Sequence, residues 1–191
     1  MKIAFSIDNP QRDLKGILLI SKYLIEKNHE VFLIPMHTLS IDVFFINPDV
    51  MVFNYVRPNN EMLIRRVKDF GIKTFILDTE GGVLSKNSFD SPKKWAENFK
   101  IKKYKDIVDG YFFWGVEQFN SFKEKSGLGK DSIHLTGSPR YDQCFPRWKK
   151  LIKNINENHI LINTNFSSIN PKFSRDKKTE KETFKSTGWG S

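Results

Sequence analysis

The chain is 191 residues long, with 39% hydrophobic and 14% aromatic residues and a formal net charge of +9. That length holds one α/β domain with a substantial core and excludes two full-sized ones, and so apolar a composition excludes disorder over most of the chain. One cysteine, Cys144, excludes an internal disulfide framework and reads as a small half-buried side chain before it reads as a catalytic thiol. No apolar run approaches the ~18 residues of a membrane span. The opening run, residues 1–7, is too short for a secretion signal and is interrupted by Asp8, so a cytoplasmic location is expected.

Residues 2–7 (KIAFSI) are continuously apolar, as buried parallel strands are, and Asp8-Asn9-Pro10 breaks the run. Leu14, Ile17, Leu18, Leu24 and Ile25 recur at helical spacing and predict one face of a helix over about 12–27, ended by Asn28 and His29. Strands follow over 30–35 and 49–54, separated by an apolar stretch, 41–46, that suits either a small helix or irregular packing. A helix over 59–70 closed by Gly71 leads to a strand over 73–77. Beyond the loop Asp78-Thr79-Glu80-Gly81-Gly82, Ser91 is the expected N-cap of a helix with Pro92 in its first turn. A strand over 110–114, a helix over 116–125 ended by Gly127, a strand over 132–136, a helix-like segment over 141–155 and a further strand over 159–163 complete the pattern. Strands alternating with helices imply a Rossmann-like α/β fold with a doubly wound, mostly parallel sheet. The domain is expected to span 1–166. From 167 to 191 the apolar residues thin out, and that stretch reads as a polar, flexible tail.

The basic charge is local. Residues 92–106 carry six lysines against Glu97 and Asp106, and 140–153 carry five basic residues against Asp142. Such runs attract an anionic glycan, an anionic membrane surface or nucleic acid, although a solvated helix face accounts for them more simply. Nucleic acid is the least expected partner, because no nucleic-acid motif accompanies the charge. A peripheral position at the inner membrane surface is compatible with the same runs.

In open α/β sheets ligands bind beyond the carboxyl ends of the strands, so chemistry is expected in the loops that follow them. The turn after the first strand, Asp8-Asn9-Pro10-Gln11-Arg12-Asp13, lacks the Gly-x-Gly-x-x-Gly pattern that lets a backbone approach a pyrophosphate, which excludes a Rossmann dinucleotide cofactor. There is no phosphate-binding Walker loop, no serine nucleophile elbow and no His or Cys pair at metal spacing; no metal is expected. Asp78 and Glu80 are the best acid/base candidates, since two carboxylates beside the diglycine Gly81-Gly82 could deprotonate an acceptor hydroxyl. The alternative is a turn that Asp78 caps, with the glycines supplying positive φ. Arg140 could clamp an anion or pair with Asp142 to fix the turn at Gly137, Trp114 could be a stacking platform or core, and Arg57 carries the same ambiguity.

Four elements in order, Ile76-Leu77-Asp78-Thr79-Glu80-Gly81-Gly82, Phe113-Trp114-Gly115-Val116-Glu117-Gln118, Leu135-Thr136-Gly137-Ser138-Pro139-Arg140-Tyr141-Asp142 and Ile160-Leu161-Ile162-Asn163-Thr164-Asn165-Phe166, carry a resemblance. Over roughly residues 1–170 the chain resembles the amino-terminal half of bacterial surface carbohydrate biosynthesis proteins, glycosyltransferases of GT-B architecture. The family forms run close to Asp-x-Glu-Gly, Trp-Gly-x-x-Gln and Thr-Gly-Asn-Pro-Arg-Phe-Asp; here Ser138 replaces the Asn and Tyr141 the Phe. The resemblance implies that Asp78 and Glu80 face an interdomain cleft near the acceptor, with Gly81, Gly82, Arg57, Trp114, Gly137, Arg140 and Asp142 as substrate-side residues. It also implies that the 137–142 turn leads toward an interdomain linker. No cofactor is expected on this domain alone; a nucleotide-sugar donor is implied, held mostly by a carboxyl-terminal domain. On that basis the sequence is expected to be a fragment, or an orphan domain completed by a partner chain across the interdomain face, with little transferase activity by itself. The alternative is a non-catalytic domain that binds an anionic glycan or a partner.

Overall fold

The computed structural model of the protein describes residues 1–79 and 91–144, all within the first of the two units into which the chain divides, Met1–Leu151. The Glu80-Gly81-Gly82 stretch, the strand expected over 159–163 and the tail from 167 lie outside the described residues. Strands form at Lys2–Ile7 (β1), Glu30–Pro35 (β2), Val50–Phe53 (β3), Lys73–Leu77 (β4), Gly110–Phe113 (β5) and Ile133–Leu135 (β6). Helices lie between them at Lys15–Glu26 (α1), Leu39–Ile46 (α2), Glu61–Asp69 (α3), Pro92–Ile101 (α4) and Val116–Lys125 (α5). The fold is α/β and Rossmann-like. Among the described residues the sheet has six strands in the order β2-β1-β3-β4-β5-β6, and every adjacent pair is parallel.

Each strand is apolar on both faces because each face meets a different layer. Ala4, Met51, Phe53, Ile76, Tyr111 and Phe113 point into one core, which is closed by Leu39 and Val43 of α2, Ile64 and Val67 of α3, Ala96 and Phe99 of α4, and Phe122 of α5. Ile3, Phe5, Ile7, Val52 and Leu77 alternate to the other face and meet Ile17, Ile20 and Leu24 of α1. Among the described residues, four helices therefore serve one face and a single helix the other. An aromatic nest of Phe99, Tyr111, Phe113 and Phe122, with ring centroids 4.4–6.1 Å apart, fills the α4–α5 side.

The predicted first helix differs at its start and in its buried face. Pro10–Leu14 is a π-helical turn, entered from Asn9, whose side-chain oxygen accepts from the backbone N–H of Gln11 (3.0 Å) and Arg12 (3.3 Å). Pro10 costs no hydrogen bond there, because the N–H groups of a first turn have no intrahelical partner. Leu18 and Ile25 point outward, about half exposed, and Ile20 packs on the sheet in their place. The stretch 41–46 falls in α2, ended by Asn47 in the left-handed region (φ 44°). Ser91 caps α4 as its residue type predicts, accepting from the N–H of Lys94.

Candidate functional site

The strand order places the topological switch between β1, which is followed by a crossover to β2 on one side, and β3, from which the chain steps steadily toward β6. Ligand crevices of open α/β sheets lie at the carboxyl edge near such a switch. There the described structure brings together Asp8, Asn9, Arg12 and Asp13 after β1, Asn54 to Arg57 after β3, Asp78 and Thr79 after β4, Trp114 after β5, and Thr136 to Asp142 after β6.

Asp78 is held from two directions. The Tyr111 hydroxyl donates to its Oδ2 at 2.8 Å, and the indole Nε1 of Trp114 donates to its backbone carbonyl. Thr79 is tied to the neighbouring strand through its N–H, which donates to the Asn54 carbonyl (3.1 Å); Asn54 in turn donates from its N–H to the Ser6 hydroxyl (3.1 Å). The ends of β1, β3, β4 and β5 are thus one hydrogen-bonded unit, and the loop carrying Glu80 starts from a rigid edge. Burial pushes the Tyr111 phenol well above its ordinary value, and the Asp78 carboxylate adds to the rise. Tyr111 therefore remains a proton donor to Asp78. It is 1% exposed and belongs to the core.

The first loop supplies a feature that motif reading did not single out. Asp13, with its side chain fully buried, accepts from Arg12 Nε (2.6 Å) and from the N–H of Asn9 (3.1 Å), while Arg12 also bonds Asp8 (3.0 Å). These carboxylates, Asp13 foremost, hold the Arg12 guanidinium above its ordinary value. Arg12, Asp13, Asp78, Thr79, Ser138 and Arg140 line one recess of ≈ 20 Å³, room for a single water. The sequence signal was a charged pair after a strand-ending Asn-Pro, and only its burial distinguishes it from a surface pair.

The turn after β6 meets α1 face to face. A Cβ on Gly16 would lie 2.8 Å from the Pro139 carbonyl carbon and 3.0 Å from the Arg140 nitrogen, so the absence of a side chain at Gly16 is what lets the turn dock. Gly137 takes a φ of 78°, in the left-handed region that glycine tolerates. Residues Pro139–Cys144 form a 3₁₀ turn. Among the described residues Arg140 forms no ion pair with Asp142, contrary to the pairing considered for this turn. Its guanidinium instead lies over the Tyr141 ring at 5.7 Å, and Tyr141 meets Trp114 edge-on at 5.5 Å. Trp114 and Arg140 therefore share a neighbour, and Asp142 turns toward the groove beside α1. Arg57 stands over Tyr55 at 4.8 Å, and its charge reaches the Tyr111 phenol. Of the expected site residues, Asp78, Arg57, Trp114, Gly137, Arg140 and Asp142 line or adjoin one edge; Glu80, Gly81 and Gly82 lie outside the described residues. Among the described residues no three His, Cys, Asp or Glu side chains converge as a metal site, and no helix is long and apolar enough to cross a membrane.

The fold and this edge define a Rossmann-like, doubly wound α/β domain with a polar carboxyl rim. No protein-family model matches the chain, and no curated protein matches it. Among solved structures it is similar to an ABC transporter solute-binding protein from Mycobacterium smegmatis with bound glycerol (16% identity, TM-score 0.36, 72% of this chain and 55% of that one). It is similar also to a 5-methylthioribose transporter solute-binding protein from Thermotoga lettingae in complex with 5-methylthioribose (12% identity, TM-score 0.34, 72% and 51%). The chain spans about half the length of these proteins.

Proposed function

We propose that this domain is the acceptor-side half of a GT-B-type glycosyltransferase of surface polysaccharide synthesis, with the Asp78–Glu80 loop supplying the general base. The observation that carries the proposal is the pinning of Asp78 by Tyr111 and Trp114 at the carboxyl edge, at the head of a two-carboxylate, diglycine loop. A base must be held within hydrogen-bond reach of the hydroxyl it deprotonates, and a loop anchored at its first residue meets that need. Asp78 already accepts from Tyr111, so it acts best as the positioning residue and Glu80 as the base. Trp114, standing edge-on to Tyr141, and the guanidinium groups of Arg57 and Arg140 would orient the acceptor saccharide. The nucleotide-sugar donor would be held across the cleft by a second domain, on the same polypeptide or on a partner.

Saturation-transfer NMR of the chain with a panel of acceptor saccharides and nucleotide sugars tests the assignment. Saccharide signals that disappear in Trp114→Ala are expected, with nucleotide sugars alone showing weak or no transfer. A nucleotide sugar bound tightly by this domain, with no saccharide contact, would reverse the acceptor-side assignment. A complete enzyme in which Glu80→Ala keeps the full transfer rate would remove the base.

A further inference from the structure

The basic run over 92–106 takes no part in the polar rim, and the fold gathers its second half at one corner. α4 ends at Ile101, and Lys102 and Lys103 close its last turn, donating from their N–H groups to the carbonyls of Asn98 (2.8 Å) and Lys100 (3.0 Å). Lys103 takes a φ of 57°, and the reversal is pinned from inside by Tyr104, which is buried and edge-on to Phe99 at 5.6 Å. β5 begins shortly afterwards at Gly110, so this corner lies at the amino edge of the sheet, opposite the rim that carries Asp78.

Lys100, Ile101, Lys102, Lys103 and Lys105 are all exposed there, Ile101 to 72%. A Cβ on Gly127 would lie 3.4 Å from Lys105 Cδ and 3.8 Å from Lys100 Cγ, so the stems of these two lysines lie together over the end of α5 and hold two like charges in one corner. Among the described residues none of the four lysines forms an ion pair, and Glu97 of the same helix is taken by Lys125 of α5 at 2.6 Å. Lys100 and Lys102 suit the negative end of a helix, but Lys103 and Lys105 lie past it and gain little from its dipole. Four cations against Asp106 make a local positive field with one apolar side chain among them.

We propose that this corner is a docking surface for an anionic lipid bilayer, with the four lysines over headgroup phosphates and Ile101 at the headgroup boundary. Clustered lysines beside an apolar side chain adsorb to acidic membranes, each cation near the surface strengthening binding about five-fold. A nucleic acid is the poorer fit. Among the described residues the exposed aromatic rings, Tyr23, Phe45, Phe70 and Tyr141, lie on other elements, so a base finds no stacking partner at this corner. Lysine also lacks the planar fork with which arginine grips a phosphate bidentately. The proposal stands independently of the glycosyltransferase assignment, since the amino edge takes no part in that site.

Flotation of the full chain with phosphatidylcholine vesicles, with and without one-third phosphatidylglycerol, tests it. Binding to the acidic vesicles alone is expected, weakening as salt rises. The double variant Lys102→Gln/Lys103→Gln should weaken it roughly 20-fold, whereas Lys15→Gln/Lys22→Gln on α1, with the same net charge, should change it less than about two-fold. All four side chains are exposed, so the fold tolerates the changes. Equal losses in the two variants would reduce the effect to net charge and overturn the seat, and so would full binding by the Lys102/Lys103 variant. Ile101→Ser should weaken binding several-fold at unchanged salt dependence, and unchanged affinity would overturn the bilayer contact. An oligonucleotide bound through the same lysines, with no binding to either vesicle, would replace the bilayer by a nucleic acid.

Discussion

Gly16→Ala sets two opposing effects of known size against each other. In an isolated helix the substitution stabilises by about 0.5–1 kcal/mol, because alanine loses less backbone entropy than glycine. Here the added methyl would meet backbone atoms of the docked turn, the Pro139 carbonyl carbon at 2.8 Å, its oxygen at 3.0 Å and the Arg140 nitrogen at 3.0 Å. Backbone on both sides cannot rotate away as a side chain can, so the turn must lift or α1 must shift. Overpacking of this kind costs about 1–3 kcal/mol and outweighs the propensity gain. The expected net loss is about 1–2 kcal/mol, seen in urea unfolding as a lower midpoint at unchanged slope, and as a melting-temperature drop of about 2–8 °C. If Gly16→Ala raised the midpoint, the 139–144 turn would not be seated on α1.

Replacing Arg12 by methionine leaves the fully buried Asp13 carboxylate without its cation, and a loss of about 2–4 kcal/mol is expected in chemical denaturation, reduced from the fully buried case because Arg12 is itself part-exposed; a neutral result would mean that water replaces the guanidinium at no cost. Acid should weaken the fold through Asp109: burial alone would raise this carboxyl, but bonds from Lys68 Nζ and from the N–H (2.8 Å) and hydroxyl (3.2 Å) of Thr74 hold it below the ordinary carboxylate value. Because its folded value is depressed, its contribution is present above about pH 4 and lost as pH falls through the folded value. Asp109→Asn should flatten this part of the stability profile between about pH 2 and 5, and an unchanged profile would dismiss the pair. Alkali should act through two tyrosines. Burial pushes Tyr104 up to about 12 and raises Tyr111 well above its ordinary value, so their contribution is complete below about pH 10 and lost as pH rises. Absorbance titration should show these two phenols ionising only on unfolding, and their early ionisation would mean that neither is buried.

Elements were legible in the sequence wherever a local rule acts alone. Apolar runs at 2–7 and 73–77 marked strands buried on both faces, Ser91-Pro92 marked a helix start, and the alternation of strand and helix marked a parallel sheet. The first helix shows where local rules stop. Leu18 and Ile25 satisfy helical periodicity as well as Ile20 does, and which of them faces the sheet depends on the entry angle set by the π-helical turn and on the seat of the 139–144 turn. At the site, Asp78, Trp114, Arg57 and Arg140 were visible as strand-following residues of chemical promise, but the Arg12–Asp13 pair was not. Two adjacent opposite charges look alike on a surface and in a core, and desolvation alone separates them.

By itself the sequence determined the kind of layers this protein has and roughly where each begins, because secondary structure follows the spacing of apolar residues and the stereochemistry of caps. Only the tertiary structure decided the order β2-β1-β3-β4-β5-β6, the division of the described helices between the two faces, and the meeting of Asp78 with Tyr111 and Trp114 across 33 and 36 residues of chain. Those choices depend on which strand neighbours which and which face each helix covers. They are settled by burial of the whole apolar surface at once, which no local window of sequence contains.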